Sequence, residues 1–156
     1  MTRSIWRGLL AAGSTSLLLI AVPATAQETL YGEGQDPDLR IEVRDLKRGE
    51  GGVATLRLRL VNDSQTTFKS LCEMRDPEFS DSCGEFTGVY LLDAANKKKY
   101  TVVRDSEKNC VCSTIDEVAA GKKMNLWATF PAPPEGVANV TVVVPLFEPI
   151  EKVPIN

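Results

Sequence analysis

The chain has 156 residues, a formal net charge of −3, four cysteines and no histidine. Without histidine, Ser-His-Asp and Cys-His catalysis and most catalytic zinc sites are excluded. A mildly acidic chain with no basic stripe in its sequence is also a poor candidate for nucleic acid, which rewards clustered Lys and Arg.

The chain opens MTRSIWRGLLAAGSTSLLLIAVPATAQ. Arg3 and Arg7 give a positive start, Leu9 to Val22 an uncharged apolar run, and Ala24-Thr25-Ala26 the small residues a signal peptidase reads. This is the pattern of a secretory signal peptide. The run is shorter than the ~20 residues a spanning helix needs, and Pro23 suits cleavage better than continued spanning. No cysteine follows it, so lipid attachment there is not expected. Residues 1–26 are therefore read as a leader, with the product exported to the periplasm or beyond and without a transmembrane anchor once cleaved. The leader would carry two of the 18 Lys+Arg and none of the 21 Asp+Glu, which leaves a mature charge of −5. The remaining length suits one domain with a real core.

Residues 27–38, QETLYGEGQDPD, are polar and read as a flexible N-terminal lead-in. Residues 39–156 read as a single β domain. In LRIEVRDL, Leu39, Ile41 and Val43 alternate with Arg40, Glu42 and Arg44. In VATLRLRLVN, Leu56, Leu58 and Leu60 alternate with Arg57 and Arg59. Period two means one buried face and one wet face. Gly49 to Gly52 (GEGG) marks the turn between them.

An irregular stretch, Thr66 to Glu85, follows, with one strand expected near Phe68 to Met74. Further strands are predicted over Phe86 to Asp93, Lys99 to Val103, Met124 to Phe130 and Val140 to Phe147, and a short KVPI closes the chain. STIDEVAAGKK holds one helical turn at most. About seven short strands separated by turn signals predict an all-β, immunoglobulin-like antiparallel β-sandwich, with a closed barrel as the alternative.

An exported chain permits disulfides, and four cysteines allow three connectivities. Cys72 and Cys83 bracket the irregular excursion, while Cys110 and Cys112 lie one residue apart in NCVCS. A 72–83 link is worth about 2.8 kcal/mol in the loop-closure model, a 110–112 link about 1.6, and long-range pairs roughly 3.6 to 3.8. Entropy therefore leaves the pairing open. Residues i and i+2 of a regular strand have Cα atoms about 6.5 Å apart, near the upper limit for a disulfide. A 110–112 bond requires a bend at Val111.

The competing readings of C-x-C are a redox pair and half of a metal site. Thioredoxin-type sites use C-x-x-C at a helix start, which is missing here. A structural zinc would need all four thiols with no histidine to help.

Asp76, Glu78, Asp81 and Glu85 crowd the excursion. They read as a solvated loop, with glycoside chemistry or calcium binding as the sharper alternatives. Lys97 to Lys99 read as a charged turn that discourages edge pairing, or as a contact for an anionic surface. Trp127 shares parity with Asn125 and Thr129 and opposes Leu126. Either face could be the core, and tryptophan is more often a core filler. Arg104, Asp105, Ser106, Glu107, Lys108 and Asn109 form a polar loop beside the C-x-C. A stapled loop is pre-organised for binding, so this is the expected recognition loop.

Several pieces of the second half occur in combination: Lys97-Lys98-Lys99-Tyr100, Arg104-Asp105-Ser106, Cys110-Val111-Cys112, Leu126-Trp127-Ala128-Thr129-Phe130-Pro131 and Val153-Pro154-Ile155. Together they resemble a bacterial extracytoplasmic domain found alone or ahead of OmpA-like domains in envelope proteins. The resemblance implies an immunoglobulin-like sandwich without a defined activity. Its paired cysteines, which occur there without a necessary second pair, favour 110–112 and 72–83. This sequence adds Cys72 and Cys83 and shows no OmpA-like domain before Asn156, so peptidoglycan binding is not carried over.

The expectation is an exported, non-enzymatic envelope module with no catalytic residue, cofactor or metal. Its partner would be another envelope protein or an envelope polymer, and no nucleic acid. The alternative is a thiol-disulfide oxidoreductase or redox sensor acting through Cys110 and Cys112.

Overall fold

The computed structural model describes residues 29–156. The expected leader, residues 1–26, and the first two residues of the lead-in lie outside the described residues. Eight strands follow in chain order: β1 Tyr31–Glu33, β2 Leu39–Gly49, β3 Val53–Asn62, β4 Tyr90–Asp93, β5 Lys98–Thr101, β6 Lys122–Pro131, β7 Asn139–Val143 and β8 Ile150–Pro154. They form two antiparallel sheets, ordered β1-β2-β3-β6 and β5-β4-β7-β8. With β1 set aside, the first sheet is A-B-E and the second C′-C-F-G, the connectivity of an immunoglobulin-like sandwich. No disulfide links the two sheets, unlike the arrangement in antibody domains.

The alternation read from the sequence sets the two faces. Leu56, Leu58 and Leu60 of β3 and Leu126, Ala128 and Phe130 of β6 are buried. They pack against Leu91, Val140, Val142 and Val153 of the other sheet. Each fully buried Leu or Phe contributes about 1.5–3 kcal/mol, so this layer is the main stabilising term. In β2 the inward set changes parity, from Ile41 and Val43 to Leu46. A bulge between Val43 and Asp45 accommodates this, leaving Arg44 as the extra residue. Gly51 and Gly52, at φ +76° and +74°, close the β2–β3 hairpin in a backbone region that L side chains avoid.

Three expectations are corrected. The lead-in is not loose over its whole length: Tyr31–Glu33 pairs with Arg40–Glu42 as an edge strand. Glu148 N–H also donates to the Glu33 carbonyl (2.8 Å). Gly32 permits this, because a Cβ there would collide with the Glu148 carbonyl. The strand expected near Phe68 to Met74 is instead a single bridge, Phe68 to Val118, followed by a 3₁₀ turn over Cys72–Met74. The strand expected from Phe86 narrows to Tyr90–Asp93, because Phe86 and Val89 plug the end of the core rather than join the ladder.

Both borders between the sheets carry backbone hydrogen bonds. At one, Val103 N–H donates to Thr129 O (2.8 Å). At the other, Arg48 N–H donates to Asn156 O (2.7 Å) and Asn156 N–H to Leu46 O (3.0 Å). The Arg48 guanidinium donates to the carbonyls of Pro133, Pro134 (3.0 Å) and Val137 (3.0 Å) and so fixes the β6–β7 connection.

Candidate functional site

After β5 the chain crosses to β6 and then returns along it. Val111 N–H donates to Val103 O (2.8 Å), Thr129 N–H to Val111 O (2.9 Å) and Ser113 N–H to Trp127 O (2.8 Å). Cys112 bridges Ala128. The C-x-C segment thus covers the outer edge of β6, the place strand D takes in an immunoglobulin domain. Cys110 is bonded to Cys112, and Cys72 to Cys83. The Cys110 and Cys112 Cα atoms are 5.3 Å apart, closer than the ~6.5 Å of a regular strand. The chain bends at Val111 to allow this, as the spacing required.

The loop Arg104–Asn109 is tied to itself. The Asp105 carboxylate accepts the N–H groups of Glu107 (2.9 Å) and Asn109 (2.9 Å) and the Asn109 side-chain amide (3.0 Å). The Asn109 side chain, helped by the two backbone N–H groups, holds the Asp105 carboxyl below its ordinary range. The Arg104 guanidinium donates to Lys108 O (2.7 Å), and Lys108 takes a positive φ of 69°. Ser106, Glu107 and Lys108 remain exposed at the tip.

The Cys72–Cys83 loop is organised in the same way. Asp76 N–H donates to Thr87 Oγ1 (2.9 Å), and the Asp76 carboxylate accepts Glu78 N–H (3.0 Å). Ser80 Oγ donates to Glu85 Oε2 (2.5 Å). Two of the four acidic groups are therefore used inside the loop. Among the described residues no three His, Cys, Asp or Glu gather as metal ligands. Asp76, Glu78, Asp81 and Glu85 do not gather into the cluster that the calcium reading required.

The two loops meet. Phe79, 51% exposed at the tip of the Cys72–Cys83 loop, lies under the Arg104 guanidinium, 5.4 Å from its ring centroid. A shallow groove of about 240 Å³ opens there, bordered by Phe79, Thr87, Thr101, Val102 and Arg104. The sequence reading passed over Phe79. Its signal was available: a lone aromatic in a polar stretch bracketed by cysteines.

Elsewhere, Trp127 faces outward, 40% exposed. This corrects the core-filler expectation and settles its parity with Asn125. Lys97 sits in the β4–β5 turn, but Lys98 and Lys99 belong to edge strand β5. Their ammonium groups lie 5.0 Å from the Tyr100 ring centroid and 4.1 Å from that of Tyr90. A larger groove of about 810 Å³, marked by no motif, lies at the opposite end of the second sheet, beside Asn96, Val137, Asn139 and Lys152. Its buried carboxylate, Asp93, is occupied with Asn96, accepting its N–H (3.1 Å) and side-chain amide (2.6 Å).

No helix of the described residues is long and apolar enough to cross a membrane. Compared with protein-family models, curated proteins and solved structures, the chain finds no match.

Proposed function

We propose that the chain is an exported, non-enzymatic binding module of the bacterial envelope that meets its partner through the Arg104–Asn109 loop and the adjoining Phe79. One observation carries this reading: a loop closed by one disulfide and a loop ending at the other meet at the Arg104–Phe79 contact. Loops ordered before binding lose little entropy on binding, and aromatic and arginine side chains are the types enriched where proteins meet partners. The signal-peptide pattern, the resemblance in the second half of the chain and the two disulfides all suit an oxidising exterior compartment. Another envelope protein or an envelope polymer is the expected partner.

The redox alternative is weaker on two counts. No helix N-terminus lies beside Cys110 or Cys112 to lower a thiol pKa. The segment that carries them also serves the β6 edge through Val111 and Ser113.

The test is a photo-crosslinker placed at Ser106 in the exported protein, in intact cells. A discrete adduct that disappears in the Arg104→Ala/Phe79→Ala double variant supports the reading. No adduct, together with turnover of any substrate by the purified protein, overturns it. A redox titration separates the alternative: inert bridges reduce below about −300 mV. A Cys110–Cys112 bridge that opens well above Cys72–Cys83 would favour the sensor.

A further inference from the structure

The outer face of the first sheet has no role in the loop site. Its rows are set by the strand register. Asp45, Arg57 and Trp127 lie in one row across β2, β3 and β6, and Glu42, Arg59 and Asn125 in the next. Ser113 extends the first row, its Oγ accepting the Trp127 N–H (3.1 Å).

The face is basic, although the chain as a whole is acidic. Arg40, Arg44, Lys47, Arg57, Arg59 and Lys123 point outward, against Glu42 and Asp45 on β2, Glu33 on the edge strand and Asp63 just beyond β3. Internal pairing consumes part of this charge. Asp45 meets Arg57 (3.4 Å) and Lys47 (3.7 Å), Glu42 meets Arg40 (3.2 Å) and, at 4.0 Å, Arg44, and Asp63 meets Arg40 (2.5 Å). Among the described residues Arg59 has no carboxylate within ion-pair distance, only Asn125 Oδ1 at 3.5 Å, and Lys123 has none.

We infer that this face binds an acidic polysaccharide, a chain of pyranose rings bearing carboxylates, with one ring stacked on Trp127. Three observations select that occupant. A half-exposed indole held on β6 between Arg57 and the C-x-C segment offers a rigid apolar plate to the C–H face of a sugar, with little entropy to lose. Neighbouring strands stand about 4.8 Å apart, close to the length of one pyranose unit. Arg57 on one side of Trp127 and Ser113 on the other therefore fall beside successive rings. The surplus of guanidinium and ammonium groups complements the carboxylates of the sugar chain, and Arg59 is placed for a two-pronged contact.

The row itself favours a glycan over a lipid surface: Arg57, Trp127 and Ser113 set a cation, an apolar plate and a hydroxyl side by side along one line, a sequence of contacts that matches successive sugar rings. The ligand meets this face rather than the Arg104–Phe79 loops, so the two readings stand or fall separately.

The experiment titrates the exported protein with polygalacturonate and with neutral dextran of similar length, reading tryptophan emission. Once the leader carrying Trp6 is removed, Trp127 is the sole tryptophan. Polygalacturonate is expected to shift the emission at low salt and to lose affinity steeply as salt is raised, while dextran binds far more weakly. Trp127→Ala, read by co-sedimentation, and Arg59→Glu should each weaken binding by about tenfold or more. Arg104→Ala/Phe79→Ala should leave it unchanged. Both variants alter exposed or half-exposed side chains, and unchanged circular dichroism confirms their fold. The inference fails if polygalacturonate gives no shift or if both variants bind as the parent does. It also fails if anionic phosphatidylglycerol vesicles compete the face away, or if the shift reflects salt-sensitive self-association in the ultracentrifuge.

Discussion

Asn62 is fully buried at the end of β3, and every polar atom of its side chain is used. Its Nδ2 donates to Thr66 O (2.8 Å) and Val118 O (2.8 Å), and its Oδ1 accepts from Ser64 N (3.1 Å) and Ser64 Oγ (2.6 Å). Asn62→Ala removes these four hydrogen bonds, the one to Val118 O fully buried, and should cost about 2–4 kcal/mol, read from the urea midpoint. Asp93 is a pH-dependent counterpart. The side-chain amide of Asn96, and then its backbone N–H, hold the Asp93 carboxyl below the usual carboxylate range. A folded pKa below the unfolded one gives stability that is complete above the ordinary carboxylate pKa and is lost as pH falls through the folded value. The stability gap between the parent and Asp93→Asn should therefore close on acidification. A gap that stays constant across the acid range would remove this account. Neither residue stood out in the sequence. An Asn at a strand end and an Asp before Ala-Ala-Asn look like ordinary turn chemistry, and their weight comes from partners as distant in sequence as Val118.

At the scale of elements, the strands with strict alternation were legible and the short or irregular ones were not. β3 was expected over Val53 to Asn62 and occupies those residues, because its inward leucines leave one register open. β1 escaped notice because three residues carry no period, and its strand state comes from pairing with β2 and from Gly32 beside Glu148. The bend at Val111 followed from cysteine spacing alone, whereas the pairing of C-x-C with β6 depended on tertiary contacts. The two disulfides should differ in what they hold. Cys72→Ser/Cys83→Ser should lower global stability by about 2.8 kcal/mol, and Cys110→Ser/Cys112→Ser by only about 1.6. The second change should act locally, speeding amide exchange at Ser113 and Thr129, whose N–H groups bond across the β6 edge. Equal protection of those amides in the two variants would mean that the short bridge does not hold the edge.

For the molecule as a whole, composition and period fixed the sandwich, and the resemblance pointed to the disulfide pairing. The meeting of Arg104 with Phe79 was not legible, since those residues lie far apart in the chain and nothing in either segment names the other. The position of the bridges has a further consequence. Cys72–Cys83 closes entirely before the Arg104–Asn109 loop and Cys110–Cys112 entirely after it, so no covalent bond other than the backbone crosses that loop. A protease cut at exposed Lys108 would divide the protein into one piece carrying β1 to β5 and another carrying β6 to β8. Non-reducing denaturing electrophoresis should then resolve two fragments, whereas a cut inside the Cys72–Cys83 loop should show two only after reduction. Each sheet draws strands from both pieces: β6 completes the first, and β7 and β8 complete the second. The fold is therefore a pair of interlocking halves, each supplying the strands the other lacks, and separately made halves should find each other and reassemble.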